Sequence, residues 1–379
     1  MRVALVHDYL NQFGGAERVL VALSEMFPEA PIYTLFHQPG SQNGHFAGKT
    51  IKTSFLNNSL VHKNHRFFVP LMPGAANSIN LGDKYDIIIS ATAGWAKGIR
   101  YSRGFHISYT HSPLRYAWEP QEYLGTLFDE SLIKAAHPII SYLKNWDERM
   151  GLKPNMLLAN SEFTADKVRK FYGRDVFVVH PPVDTNTFYY DKEEPVQKLP
   201  FSKHEYFLAF GRILHYKKFD LIVKAFNKLN TPLIILGDGP HREKVEQIIT
   251  SPNIKLIGNG KHDDEMRKII SGARATIFPQ VEDFGLTAAE SIACGTPVIA
   301  YNKGGQTEII EDGTNGVLFD EQSPEALIAA IEAFTRFKFN RRTVSKTAKK
   351  FSKENFQKKI NILLNHANSF STRSSLHAV

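Results

Sequence analysis

The chain has 379 residues, 42% of them hydrophobic and 12% aromatic, which is too long for one ordinary core and supplies enough apolar material for two. That composition excludes a disordered chain, and the single cysteine, Cys294, excludes an intrachain disulfide or a multi-cysteine zinc site. With 46 Lys and Arg against 38 Asp and Glu, the formal net charge of +8 favours acidic partners.

Residues 2–7 form an apolar run that reaches Gly14-Gly15-Ala16-Glu17 through a short loop, and Val19, Leu20, Leu23, Met26 and Phe27 then recur at helical spacing. Strand, glycine loop and helix in that order suggest a doubly wound domain. The glycine pattern is not the G-x-G-x-x-G of dinucleotide oxidoreductases, which disfavours a dehydrogenase. No charged leader with a long apolar core precedes the first strand, and no uninterrupted apolar stretch is long enough to span a bilayer, so a soluble or peripheral protein compatible with the reducing cytoplasm is expected.

Residues 49–71 interleave Lys49, Lys52, Lys63 and Arg66 with Phe55, Leu56, Leu60, Phe67, Phe68 and Leu71. Two readings stand: an interfacial surface that meets anionic lipid, or an ordinary helix packing Phe67 and Phe68 into its own domain. A second basic run, residues 338–359, reads as a solvated helix face. Neither run carries a recognised nucleic-acid motif, so nucleic acid is not an expected partner.

Further strands are expected to end near Ser90, Thr110, Ser161 and His180, and the strand ending near Thr110 runs into His111 before Pro113 breaks it. The second half offers residues 206–210, 233–236, 254–257, 275–278, 298–301 and 317–319 as strands. Helical segments between them predict parallel sheets with right-handed crossovers, and the boundary between the halves is expected in the polar, proline-bearing residues 191–204.

The densest signal is Glu282-Asp283-Phe284-Gly285-Leu286-Thr287-Ala288-Ala289-Glu290, set between the strands 275–278 and 298–301. A strand, a loop with Gly285 and a short helix outline a phosphate site. Helix-start N–H groups can hold an anion, glycine allows close approach, and carboxylates suit sugar and ribose hydroxyls. Upstream, residues 206–210 lead into Gly211-Arg212 and then Tyr216-Lys217-Lys218. That places a forked donor and a point charge beside a strand end.

Two glutamates separated by seven residues with Phe-Gly between them resemble the hallmark of glycosyltransferase family 4, the retaining, nucleotide-sugar-dependent enzymes. The resemblance covers nearly the whole chain but is specific at the motifs. It implies two Rossmann-like doubly wound parallel-sheet α/β domains facing a cleft, the GT-B fold: residues 1–190 binding acceptor, 191–354 binding nucleotide sugar, and 355–379 as a returning helix with a polar tail. It further implies that Glu282 contacts the transferred sugar, that Glu290 binds the ribose, and that Arg212 and Lys217 clamp the donor diphosphate. Phe284, Gly285, Leu286 and Thr287 then lie along the donor, Gly14 and Gly15 correspond to the family's amino-terminal glycine loop, and His111 projects toward the donor sugar. Gly237 and Asp238 look like the glycine turn near the nucleotide, and residues 258–264, starting at Gly258, resemble the loop whose backbone meets the base. Glu308 is either an ordinary helix-start carboxylate or a supporting group.

The string His111-Ser112-Pro113-Leu114-Arg115-Tyr116-Ala117-Trp118 resembles a subgroup that includes GDP-mannose-dependent mannosyltransferases of bacterial O-antigen and capsule assembly. The implied reaction transfers mannose from GDP-mannose to a glycan or polyprenyl-diphosphate-linked acceptor, with retention and without a required metal or other cofactor; the expected location is the cytoplasm, at the inner face of the cytoplasmic membrane if residues 49–71 are interfacial. The resemblance implies a front-face route, in which the leaving phosphate oxygen helps to deprotonate the acceptor, and there Glu282 positions the sugar and stabilises charge; it is not assigned as a nucleophile. The alternatives are a UDP-hexose or other nucleotide-sugar donor, a non-catalytic nucleotide-sugar-binding protein, and a sugar-nucleotide epimerase.

Overall fold

Continuous apolar runs become strands covered on both faces. In a computed structural model of the chain, which describes residues 1–42, 44–124, 130–192, 199–258 and 263–376, β1 (Val3–His7) sends Val3 and Leu5 into one hydrophobic cluster and Ala4 and Val6 into another. It is followed by β2 (Ile32–Thr34), β3 (Ile51–Thr53), β4 (Ile87–Thr92), β5 (Phe105–Thr110), β6 (Met156–Ala159) and β7 (Phe177–Val178). These seven make a parallel sheet in the order β3-β2-β1-β4-β5-β6-β7.

A second sheet consists of β8 (Phe207–Phe210), β9 (Leu233–Leu236), β10 (Ile254–Ile257), β11 (Ala275–Phe278), β12 (Val298–Tyr301) and β13 (Gly316–Phe319). Its order is β10-β9-β8-β11-β12-β13, also parallel. Phe207 and Ala209 of β8 face one core while Leu208 and Phe210 face the other, the signature of a strand buried between helical layers. Both sheets reverse their winding direction beside their first strand, between β1 and β4 and between β8 and β11. In such sheets ligands bind at that switch point, outside the carboxyl ends of the strands.

The chain divides into two compact units, residues 1–182 with 354–379, and residues 183–353. The carboxyl-terminal helix Lys353–Leu376 belongs to the first because Phe356, Ile360 and Leu364, one turn apart, bury in the cluster of Val19, Leu20 and Leu23. The helix continues beyond Leu364, through residues expected as a polar tail, as far as Leu376. Within the second unit Val183 N–H donates to Phe351 O at 2.8 Å, so the segment following Pro182 is tied to the end of that unit.

The basic stretch 49–71 is not one helix. It comprises β3, a helix Ser59–Asn64 whose start is capped by the Asn58 side chain, and a 3-10 segment His65–Leu71. Val61 and Val69 are buried and Phe68 packs on the core, whereas Phe67 is 73% exposed, so the reading that buries Phe67 together with Phe68 fails. The tighter 3-10 winding turns successive side chains by about 120°, which separates neighbours that a sequence reading would pair. Among the described residues no helix is long and apolar enough to cross a membrane.

Candidate functional site

In the second unit the loops leaving β8 and β11 lie at the switch point, and the structure brings Lys217 of the first loop onto Glu282 of the second. Their ion pair is less than one-fifth exposed on either side chain. Lys217 ends a 3-10 turn, His215–Lys217, and Lys218 then takes a left-handed conformation, φ +57°, before the helix Phe219–Lys228. A left-handed non-glycine residue is uncommon and costs on the order of 1 kcal/mol. It breaks the turn at the point where Lys217, rather than Lys218, meets Glu282.

Besides the Lys217 pair, two hydrogen bonds fix Glu282. Gln280 donates from Nε2 to Glu282 Oε1 at 2.9 Å, and Gln306 holds Gln280 in turn by donating to its carbonyl at 2.7 Å. Gly305 N–H donates to Glu282 O at 2.8 Å, closing the Gly304-Gly305 junction onto the loop. Gln280 and Gln306 were not singled out in the sequence; position two before the glutamate, directly after a strand, was the available signal for Gln280.

Gly285 sits at φ +98°, the left-handed region that favours glycine, and starts the helix Leu286–Ala293. Leu286 and Thr287 occupy its first turn, where backbone N–H groups precede the intrahelical ladder. Glu290 lies in the second turn and is buried. Cys294 follows at the helix end, fully buried, and burial together with the Glu290 carboxylate pushes its thiol pKa up. Phe284 places its ring in the core, 5.4 Å from that of Phe351, which leaves its backbone as the part available to a ligand.

Arg212 is exposed immediately after β8. The neighbouring turn after β9 depends on close packing of backbone: a Cβ on Gly237 would stand 2.0 Å from Gly211 O. Asp238 accepts from Ile213 N–H through its carbonyl at 2.8 Å and from Gly239 N–H through its carboxylate at 2.7 Å, and Arg242 donates to Gly237 O at 2.8 Å. Gly258 is exposed at the end of β10, while residues 259–262 of its expected base-facing loop lie outside the described residues. Glu308 closes the 3-10 turn Gly305–Glu308, and its carbonyl accepts from Lys350 at 3.3 Å.

The remaining candidates belong to the first unit. Gly14 caps the helix Gly15–Met26 and donates its N–H to Glu17 Oε2 at 2.8 Å, while Glu17 Oε1 faces His7 Nε2 at 3.3 Å. His7 Nδ1 faces Ala91 O at 3.0 Å, so both ring nitrogens meet oxygen acceptors. Burial works to lower the His7 pKa, but the hydrogen bond and charge of Glu17, with Asp8, outweigh it and hold the value above 6.5.

Asp8 accepts the N–H groups of Ala93, Trp95 and Ala96 and the Thr92 hydroxyl, all at 2.6 to 3.0 Å, and so shapes the loop after β4. His111 follows β5, half-buried, with its N–H donating to Thr92 O at 2.7 Å, Asn160 donating to its carbonyl at 3.0 Å, and its ring edge-on to Tyr109.

Behind this loop is a buried pair that no pattern in the sequence marks. Lys97 donates to Asp147 at 2.6 Å, with both side chains fully buried, and Asp147 also accepts from Trp118 Nε1 at 2.8 Å and Tyr172 Oη at 2.7 Å. Its partners are scattered across 75 positions of sequence, from 97 to 172, and only the fold collects them.

Comparison with known proteins agrees with this architecture. The family model for Glycosyltransferase Family 4 matches residues 13–187, and the model for Glycosyl transferases group 1 matches residues 191–356. An uncharacterized glycosyltransferase of Methanocaldococcus jannaschii is 31% identical over 151 residues, 39% of this chain and 43% of that protein. A D-inositol 3-phosphate glycosyltransferase of Mycobacterium sp. is 28% identical over 179 residues, 43% of this chain and 41% of that protein. The chain thus spans under half the length of these curated relatives. The crystal structure of Anabaena HepE in complex with UDP and glucose superposes with a TM-score of 0.69 at 17% identity, covering 96% of this chain and 99% of that one, a likeness of fold. With one family model on each half and the GT-B architecture throughout, the chain is a glycosyltransferase family 4-like protein.

Proposed function

We propose that the protein is a retaining hexosyltransferase that moves mannose from GDP-mannose to a hydroxyl of a lipid-linked or growing surface polysaccharide. The observation that carries the transferase reading is the Lys217 and Glu282 pair at the switch point of the second sheet, fixed by Gln280 and Gly305. A cation and a carboxylate held together there suit the two ends of the scissile bond: Lys217 faces charge growing on the departing diphosphate, and Glu282 faces sugar hydroxyls. Arg212 adds a second cation from the same strand end, the N–H groups of Leu286 and Thr287 offer a phosphate cradle, and Glu290 receives the ribose. These groups supply the charge stabilisation that a metal would give, and the reaction is proposed to proceed without one.

Gly14, Gly15 and His111 are assigned to the acceptor and donor-sugar side, with Gly237, Asp238 and Gly258 along the nucleotide. The mannose assignment rests on the His111 to Trp118 string. A UDP-hexose is the second reading, because the Anabaena HepE structure that shares the fold contains UDP and glucose. Incubation with GDP-mannose and UDP-hexoses, lipid-linked acceptors and EDTA, with mass spectrometry of products, tests both. Product from UDP-glucose alone would remove the mannose reading, and the absence of transfer from every donor would remove the transferase reading.

The proposed place of work is the cytoplasmic face of a membrane. Phe55, Leu60, Phe67 and Leu71 are exposed beside Lys63, an apolar and basic surface of the kind that enters anionic headgroups. Sedimentation with neutral vesicles as well as with anionic ones would refute the charge-dependent part.

A further inference from the structure

A second cluster of cations lies on the second unit, at the opposite pole of its sheet from Lys217 and Glu282. All six strands are parallel, so their amino ends share one edge, where Arg274 precedes β11 and Pro297 precedes β12. These residues border a cavity of about 290 Å³ that is also lined by His204, Arg341, Phe334, Phe337 and Phe339. No carboxylate lines it.

The two guanidinium groups are held without a counter-charge. Arg341 donates from Nη1 to Ser271 O at 2.8 Å and Thr296 Oγ1 at 3.1 Å, and from Nη2 to Ala273 O, all neutral acceptors. Burial brings its pKa down to about 10. Arg274 lies 5.6 Å from the centre of the Phe207 ring, and among the described residues its side chain makes no hydrogen bond or ion pair. A cation withdrawn from water is ordinarily paired with an anion. His204 responds to the same field: burial, and then the Arg341 charge, depress its pKa to about 4.

The remaining wall is aromatic. Phe334 and Phe339 stack with centroids 5.0 Å apart and planes within 19°, and Phe337 sits 5.6 Å from Phe339 with its own face partly open. Rings on one side and uncompensated guanidinium groups on the other define a ligand that has a flat apolar body and an anionic end. The volume is near the lower end of ligand pockets, roughly 300 to 1,000 Å³, which suits one or two fused rings with a single charged substituent.

We propose that this cavity binds a small aromatic or heteroaromatic anion, a phosphate or carboxylate, at a site separate from the one assigned to the donor. The full chain is titrated with 1-naphthyl phosphate and with 1-naphthol, each followed by ligand fluorescence, and inorganic phosphate is tested as a competitor of the bound 1-naphthyl phosphate. Saturable binding is expected for 1-naphthyl phosphate, about tenfold or more tighter than for either fragment, as loss of one charge-assisted contact predicts. Arg274→Gln is expected to weaken it at least about tenfold and Phe337→Ser by severalfold, whereas Lys217→Ala leaves it unchanged. Among the described residues the Arg274 head group makes no hydrogen bond or ion pair and only lies over the Phe207 ring, and Phe337 is 43% exposed, so both variants are expected to stay close to the wild-type unfolding midpoint; each tests the site independently of the other. Equal affinity in both variants, 1-naphthol bound as tightly as its phosphate, or no saturation up to about 1 mM would overturn the assignment.

Discussion

Replacing Lys217 by alanine separates structural from catalytic roles at the switch point. Lys217 and Glu282 are 19% and 17% exposed, between the surface limit, where an ion pair contributes about 0 to 1 kcal/mol, and the buried limit, where removing one partner costs about 3 to 5 kcal/mol. Gln280 still donates to Glu282 at 2.9 Å after the substitution, so the carboxylate is not left without a partner and a stability loss of about 1 to 2 kcal/mol is expected. The effect on turnover should be larger. If Lys217 faces the departing diphosphate, its contact strengthens as charge accumulates there, and kcat should fall about a hundredfold or more, equivalent to about 2.7 kcal/mol, with KM changed far less. Steady-state transfer assays on Lys217→Ala, Arg212→Ala and wild type, beside calorimetric Kd values for GDP and UDP, measure the split. A Lys217→Ala enzyme that retains kcat within about threefold while its KM rises would show uniform binding in place of transition-state stabilisation, and the leaving-group role would be lost.

Glu290→Ala should weaken nucleoside diphosphate binding by about 1.5 to 3 kcal/mol, since a buried carboxylate bonded to ribose hydroxyls is a charge-assisted contact; unchanged calorimetric affinity would take Glu290 out of the ribose role. Asp147→Asn should lower denaturant stability by about 3 to 5 kcal/mol, because it leaves the Lys97 ammonium fully buried without a charge partner. A loss below about 1 kcal/mol would mean that neutral acceptors suffice for Lys97. For His7, whose folded pKa is raised, the stabilisation from Glu17 is fully present below the unfolded value and disappears as pH rises through the folded one. The stability advantage of wild type over Glu17→Gln should therefore be largest below about pH 6.5 and shrink above it, leaving the part due to the Gly14 hydrogen bond. A difference independent of pH between about 6 and 9 would show that His7 does not titrate against Glu17.

The sequence by itself determined the two-sheet α/β class and all six strands of the second sheet, because strands buried on both faces must be written as uninterrupted apolar runs. It also located the loops after β8 and β11, since a glycine turn, cations and a helix start leave local marks at fixed spacing. It could not show β2 and β3, three residues each, which are too short to carry a period and exist because β1 offers an edge to β2 and β2 in turn offers one to β3. Nor could it divide residues 49–71 between core and solvent: the break from helix into 3-10 winding at His65 decides that Phe68 packs and Phe67 does not. The Asp147 hub, the carboxylate of Asp8 beneath the loop after β4, and the cation-lined cavity around Arg274 and Arg341 were decided only in three dimensions. Their members come from distant segments. A short window of sequence records the backbone preference and burial pattern of its own residues, but the electrostatic partner of a buried charge is whichever group packing brings beside it.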